Sequence, residues 1–462
     1  MSRAPTGEAT GGRRRVLTSP PAVRRTGLRH SVTTSLVGKA TELVTLVLLA
    51  TVVPRVLGPE RFGRFALPLT IVTLGSLALT LGGPTLMARY VPAAPAGERV
   101  ALARALCVRL AQGRAGQLAV IAAATAAAAV AVPERVSPLD AALVVTALIL
   151  NVAATLALQT TLGLGGTALW SFRYPVQNTV LIATVLVLEP ALGHRGGLVA
   201  ILLAGLVAAG IGAAAVRPVL GPGHPEVAIP AGAIRFGALH AAGAALVQAT
   251  HRGVVVAVAV LAAGSVETGY AALAVGIALS VTHAVLQAFT VSLPHLAAGR
   301  ASGTRVGASP AEATLRRLAG ALLALLVPAT VTIAALLDRL VPTALGPGYQ
   351  GAEAALVPAL AVVVLAPLGA LVVQAAALRL RPEVPLASGM ACVLTFLVLA
   401  SLLVPVWGAA GGTAATLAGT AAGALLGIRR LPGAAGWRVT TASFVGTAAV
   451  LGAAPGWWGA AG

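Results

Sequence analysis

Apolar residues run in blocks of roughly 20 along nearly the whole chain, interrupted at short intervals by polar or Gly/Pro-rich stretches. About 20 consecutive apolar residues are what a helix needs to cross a hydrocarbon core. Spans are therefore expected near residues 31–56, 65–87, 115–133, 139–163, 168–189, 197–216, 236–263, 268–293, 318–338, 352–377, 384–406 and 410–428, with a weaker block at 439–458. The blocks are continuous and lack the period-two alternation of a membrane β-barrel. The pattern predicts an all-α integral membrane protein of 12 transmembrane helices, or 13 if the last block also crosses.

The pattern also repeats. "LGHRGGLVAILLAGLVAAG" (192–210) resembles "WGAAGGTAATLAGTAAG" (407–423), "LGPERFGRFALPL" before the second span is echoed by "AGSVETGYAALAV" before the eighth, and Gln159 late in the fourth span by Gln374 late in the tenth. Six spans separate the members of each pair. An even number keeps both halves pointing the same way, which predicts two six-helix bundles related by a pseudo-two-fold axis along the membrane normal. The expected layout is a basic N-terminal tail (1–30), a first bundle (31–216), a Pro/Gly-rich linker (217–235), a second bundle (236–430) and a C-terminal tail holding the weaker block (431–462).

Of the 462 residues 58% are hydrophobic and only 10% charged, against about 25% charged in soluble chains. The net charge of +19 would suggest nucleic acid if it were gathered in a polar domain, but it is spread between spans. With the N-terminus placed in the cytoplasm, 24 of the 32 basic residues fall on the inner side, Arg173 among them in the fourth–fifth loop, and six on the outer side. That asymmetry predicts a multi-pass protein of the cytoplasmic membrane with a cytoplasmic N-terminus, its basic residues meeting anionic lipid headgroups. Residues 1–30 lack the apolar core of a cleavable signal peptide, so the first span is read as a retained anchor. Cys107 and Cys392 are too far apart in sequence to suggest a disulfide or metal framework.

The remaining two basic residues, Lys39 and Arg252, lie inside spans. In "SLVGKATELVTLVLLATVV" the apolar run after Glu42 is too short to cross alone, so the helix must include Lys39 and Glu42. Ser35, Lys39, Glu42 and Thr45 share one helical face, which should avoid lipid. The two charges read either as a structural pair, with lysine snorkelling to the interface, or as a cavity cation for phosphate with a carboxylate that tunes it. The seventh span opens the second half and carries His240, Gln248, His251 and Arg252. Arg252 is deep enough to require protein or water around it, lining a cavity or hydrogen-bonded in the bundle. Asn151, Thr155 and Gln159 in the fourth span, and Ser280, His283 and Gln287 in the eighth, form polar stripes that either line the cavity or bridge helices. Arg89 reads as an interface anchor. Paired carboxylates, metal-ligand spacing and a Gly-rich loop followed by lysine are all missing from the sequence, so neither an enzyme nor a cofactor is expected.

"PRVLGPERFGRFAL" with "LGGPTLMARYVP" resembles the first hairpin of the polysaccharide transport family, the O-antigen, teichoic-acid and capsule flippases of the multidrug/oligosaccharidyl-lipid/polysaccharide exporter superfamily. "ETGYAALAVGIALSVTHAVLQAFTVSLPHLA", "ALGPGYQGAEAAL" and "VPVWGAAGGTAAT" resemble its later segments, and together these cover residues 31–430. The resemblance implies a V-shaped, alternating-access flippase of lipid-pyrophosphate-linked glycan precursors, with polysaccharide assembly proteins as further partners. Relatives often carry an acidic residue near the position of His251, where this chain has none. The competing expectations are a drug or metabolite antiporter of the same superfamily, which should carry several membrane carboxylates, and a non-transporting membrane scaffold.

Overall fold

The computed structural model describes residues 28–79, 82–131, 137–221, 226–262, 264–298, 310–379, 381–431 and 436–454; most of the N-terminal tail, part of the expected linker and the end of the last apolar block lie outside them. Among the described residues every regular element is helical. Nine helices among the described residues are long and apolar enough to cross a membrane, which makes this a multi-pass membrane protein.

α1 (Leu28–Leu79) holds the first span and most of the second. Its helical geometry breaks at Gly58, whose φ of 73° favours a residue without Cβ. The chain reverses there. Residues 28–57 run parallel to α5 (Thr167–Leu192), with Gly38 against Ser171 and Asn178 Nδ2 donating to Thr45 Oγ1 at 3.1 Å. Residues 59–79 instead run parallel to α4 (Pro138–Gly163), Gly75 meeting Leu148 and Leu79 clustering further on with Leu148 and Val152. Since α4 and α5 are antiparallel, joined through Gln177–Asn151 and Arg173–Thr155, so are the two halves of α1.

The second expected span, 65–87, is interrupted: Gly82, at φ 80°, and Pro84 restart the chain as α2 (Gly83–Ala93). α3 (Arg99–Ala131) begins well before the expected third span. No proline lies between Arg99 and Ala131, and Gly113 and Gly116 cost only about 1 kcal/mol each, so the stretch bearing Arg99, Arg104, Arg109 and Arg114 is helix and not loop. α6 (His194–Leu220) completes the first lobe, and its Gly205 and Gly212 let it approach Ala147 and Ala157 of α4 closely.

The second lobe contains α7 (Ala233–Leu261), α8 (Ser265–Ala298), α9 (Pro310–Ala335), α10 (Leu337–Leu345), a 3₁₀ segment (Pro347–Ala352), α11 (Glu353–Leu378) and α12 (Glu383–Arg430). α12 is again two spans, reversing at Gly408 with φ 52°: Ser388 Oγ donates to the Gly423 carbonyl at 2.6 Å, and Gly419 packs on Cys392 and Phe396. The carboxylate of Glu267 accepts from the Ala409 N–H at 2.7 Å and so caps the outgoing half. α13 (Trp437–Ala453) packs against α9 and α11, with Gly446 facing Val327 and Val364.

The halves are built alike. In the first, the opening helix lies beside the fifth and the fourth beside the sixth. In the second, α7 lies parallel to the first half of α12 through Gly243–Gly389 and Gly253–Phe396, and α11 packs on α12, Gly427 meeting Val372 of α11.

Candidate functional site

The lobes touch at both ends of the molecule. At the Gly58 end, Gly63 of α1 lies against the Ser265 carbonyl and Gly269 of α8 against the Pro59 carbonyl, so the two backbones meet directly. Beside them the Tyr349 hydroxyl donates to the Pro54 carbonyl at 3.1 Å and Arg55 Nη1 to the Ala344 carbonyl at 3.3 Å. The last carbonyls of a helix have no intrahelical donor, and Tyr349 supplies one. At the opposite end Gly82 meets Gly237 at the start of α7.

Between these contacts lies a cavity of about 320 Å³, open in part to solvent and walled by α1, α4, α5, α6, α7 and α8. Its two ends differ chemically. Toward Gly58 the wall is apolar, from Leu49, Ala50, Phe62, Phe65, Ala66 and Ala272. Toward the other end it presents Glu42, Asn151, Thr155, Arg173, Gln177 and Asn178 from the first lobe, and across from them Gln248, Arg252, Ser280 and His283 from the second.

Lys39 sits at the edge of this polar end with its Nζ 2.6 Å from Glu42 Oε2 and 6.0 Å from the Tyr174 ring centroid. Glu42 is buried and Lys39 is 18% exposed in its side chain. Arg252 of the second lobe lies near Tyr174 of the first, and His283 lies near both Lys39 and Arg252. Glu42 is the one carboxylate among the described lining residues, and Lys39 already pairs with it.

Arg173 was expected in an inner loop, where it would be a topological label. It is instead seven residues into α5, only 6% exposed, and on the cavity wall. Its Nη2 donates to Thr155 Oγ1, its guanidinium carbon lies 4.7 Å over the Tyr174 ring and 5.9 Å over Trp170, and its Nε and Nη1 have no partner among the described residues. A short Gly-rich turn (Leu164–Gly166) starts α5 at Thr167, one residue before the expected start of the fifth span at 168, so position 173 lies within that span and not in the loop before it.

The structure brings Glu42, Asn151, Gln248, Arg252 and His283 onto the cavity wall, with Lys39 at its margin. His251 differs from expectation. One residue along a helix turns the side chain by about 100°, so with Arg252 facing the cavity His251 faces into the second lobe. There its Nε2 lies 3.1 Å from Thr420 Oγ1, beside a small recess lined by Thr282, Thr413 and Thr416. Gln159, 1% exposed, is packed against Gly83 of α2. The side chains of His240, Gln287 and Arg89 lie outside the described residues.

Neither a protein-family model nor a curated protein matches the sequence. Solved structures do match. The lipid II flippase MurJ in an inward closed conformation superposes with a TM-score of 0.64 at 10% identity, over 90% of this chain and 91% of that one. The Vibrio cholerae MATE transporter VcmN in its bent form gives 0.53 at 14% identity, over 92% and 99%. A MATE transporter of the MOP superfamily in an outward-facing conformation gives 0.50 at 14% identity, over 90% and 97%. What this chain shares with these transporters, over about nine-tenths of its length, is the fold.

Proposed function

We propose that the chain is a flippase that carries lipid-linked oligosaccharide precursors across the cytoplasmic membrane by alternating access, in the assembly of a surface polysaccharide. One observation carries this reading: the cavity between the lobes is apolar at one end and net positive at the other, with Arg173 and Arg252 against a single carboxylate that Lys39 already pairs. An anionic head crossing a low-dielectric region needs such cations, and an attached sugar chain needs the amide and hydroxyl groups of Asn151, Gln177 and Gln248. The fold shared with a lipid II flippase supports the same substrate class. In this reading the Gly58 end faces outward, and Lys39, Glu42, Asn151, Gln248, Arg252 and His283 belong to the substrate path. His240 joins it as a neighbour on α7, and Gln287 on α8.

The fold shared with MATE transporters favours a second reading, export of a drug or metabolite in exchange for a cation. A path for organic cations calls for unpaired carboxylates, and none lines the cavity among the described residues.

The test is flipping of a fluorescent lipid-diphosphate oligosaccharide in proteoliposomes, beside a deletion strain assayed for surface polysaccharide and accumulated precursor. Wild type should flip the lipid, Arg252→Ala should slow it about tenfold, equivalent to roughly 1.4 kcal/mol, and the deletion should accumulate precursor. No flipping, with a drug-sensitivity phenotype in the deletion strain, would replace this reading by the second.

A further inference from the structure

We infer that Arg173 is the anion ligand of the cavity, and that Lys39 is not; the group Arg173 takes is a phosphate or diphosphate. The inference rests on the flippase reading for its substrate and on the geometry of α5 for its ligand.

Two cations of the first lobe differ in what they have left to offer. The Lys39 ammonium spends its charge on Glu42 at 2.6 Å. Arg173 forms no ion pair among the described residues, although it is only 6% exposed. One of its three nitrogens is held by Thr155, and the hydrogens on Nε and Nη1 find no acceptor among the described residues. A buried guanidinium with no counter-ion is costly, and an arriving anion removes that cost.

The side chain is also held in place. Thr155 fixes one edge of the fork, and the rings of Trp170 and Tyr174 flank it at 5.9 and 4.7 Å. The Gln177–Asn151 hydrogen bond, 2.8 Å, ties α5 to α4 one turn further along. A planar guanidinium fixed this way suits phosphate oxygens, to which arginine donates more than one N–H. Arg252 stands on the other lobe and lines the same cavity as Arg173 and Tyr174, so an anion at Arg173 lies between the lobes. The first lobe holds the head, and the second lobe approaches it.

The experiment measures binding of farnesyl diphosphate and of inorganic pyrophosphate by calorimetry, using full-length protein in nanodiscs of zwitterionic lipid. Wild type should bind. Arg173→Gln should weaken binding at least tenfold, Arg173→Lys should restore part of it, and the double substitution Lys39→Met with Glu42→Gln should lose less than Arg173→Gln does. Thr155→Val, which removes the positioning hydroxyl and keeps the charge, should lose an intermediate amount and serves if Arg173→Gln does not fold. A folded Arg173→Gln or Thr155→Val protein that binds as wild type would overturn the assignment, as would a larger loss in the Lys39/Glu42 double variant. Farnesyl diphosphate bound at least tenfold more tightly than pyrophosphate assigns the anion to a lipid head; equal affinities assign it to a free phosphate compound, with Arg173 as ligand in both cases. Binding at Arg173 without flipping by the same preparation would keep this inference and remove the flippase reading. Flipping that survives Arg173→Gln would do the reverse.

Discussion

At the scale of single residues, the Lys39–Glu42 pair joins a buried carboxylate to a partly exposed ammonium across one helical turn. Removing only the lysine strands a buried negative charge, and removing both does not. Lys39→Met should therefore lower thermal stability in detergent more than Lys39→Met with Glu42→Gln, by an interaction of about 1–3 kcal/mol in a double-mutant cycle. Equal destabilisation by the single and double variants would show the pair to be uncoupled. This contact was legible in the sequence, because a spacing of three inside an apolar run fixes both the helix and the shared face. Arg173 was not. Near the end of a span, an arginine turned to the headgroups and one turned inward have the same sequence environment, and only Thr155, 18 positions away and on another helix, decides between them. The same holds for His251 and Arg252: the sequence places both in one helix, while the packing of α7 on α12 selects which of them meets the cavity.

At the scale of elements, hydropathy located most of the spans and placed their ends poorly; neither α3, which holds the expected third span, nor α13 is among the nine helices apolar and long enough to cross in the described residues. The reversals at Gly58 and Gly408 were legible because glycine beside proline, or between two apolar runs, marks a turn. α10 was not foreseen. Its nine residues are too few for a span, and it exists because Leu337, Val341 and Leu345 fall on one face that the lobe buries. Likewise α3 continues past the apolar run since arginine is a good helix former and its long side chain reaches water from a helix as easily as from a loop. Two outcomes test the turn chemistry. Gly408→Ala forces a side chain into left-handed backbone and crowds the Glu267 carboxylate, so it should cost about 1–2 kcal/mol or more in unfolding free energy. Glu267→Ala removes the acceptor for the Ala409 N–H and should cost about 1 kcal/mol, with Glu267→Gln recovering part of it. A thermal shift of zero in both variants would mean that the reversal is held elsewhere.

At the scale of the whole molecule, two similarly built lobes meet where backbones can touch. Gly63 and Gly269 have no side chains to hold the helices apart, and a Cβ on either would collide with main-chain oxygen of the other lobe. Gly269→Leu should thus wedge the Gly58 end open. With Cys107 and Cys392 replaced by serine, a cysteine introduced at Leu49 on the cavity wall should react with a membrane-impermeant thiol reagent several times faster in the Gly269→Leu background than without it. An unchanged rate would show that the glycine contact is not what closes this end. The repeated six-span arrangement made the two lobes legible, but where they touch was not, since Gly63 and Gly269 are two glycines among 53.

The hydrogen bonds from Tyr349 and Arg55 across the Gly58 end both terminate on carbonyl oxygens, those of Pro54 and Ala344. Every residue type carries that acceptor, so these fasteners tolerate drift in the sequence they grip and can be tuned only by changing the donor. Tyr349→Phe is then a one-atom way to loosen the clasp while leaving its aromatic packing on Tyr270 intact, and a homologue could adjust how readily this end parts by exchanging that hydroxyl alone.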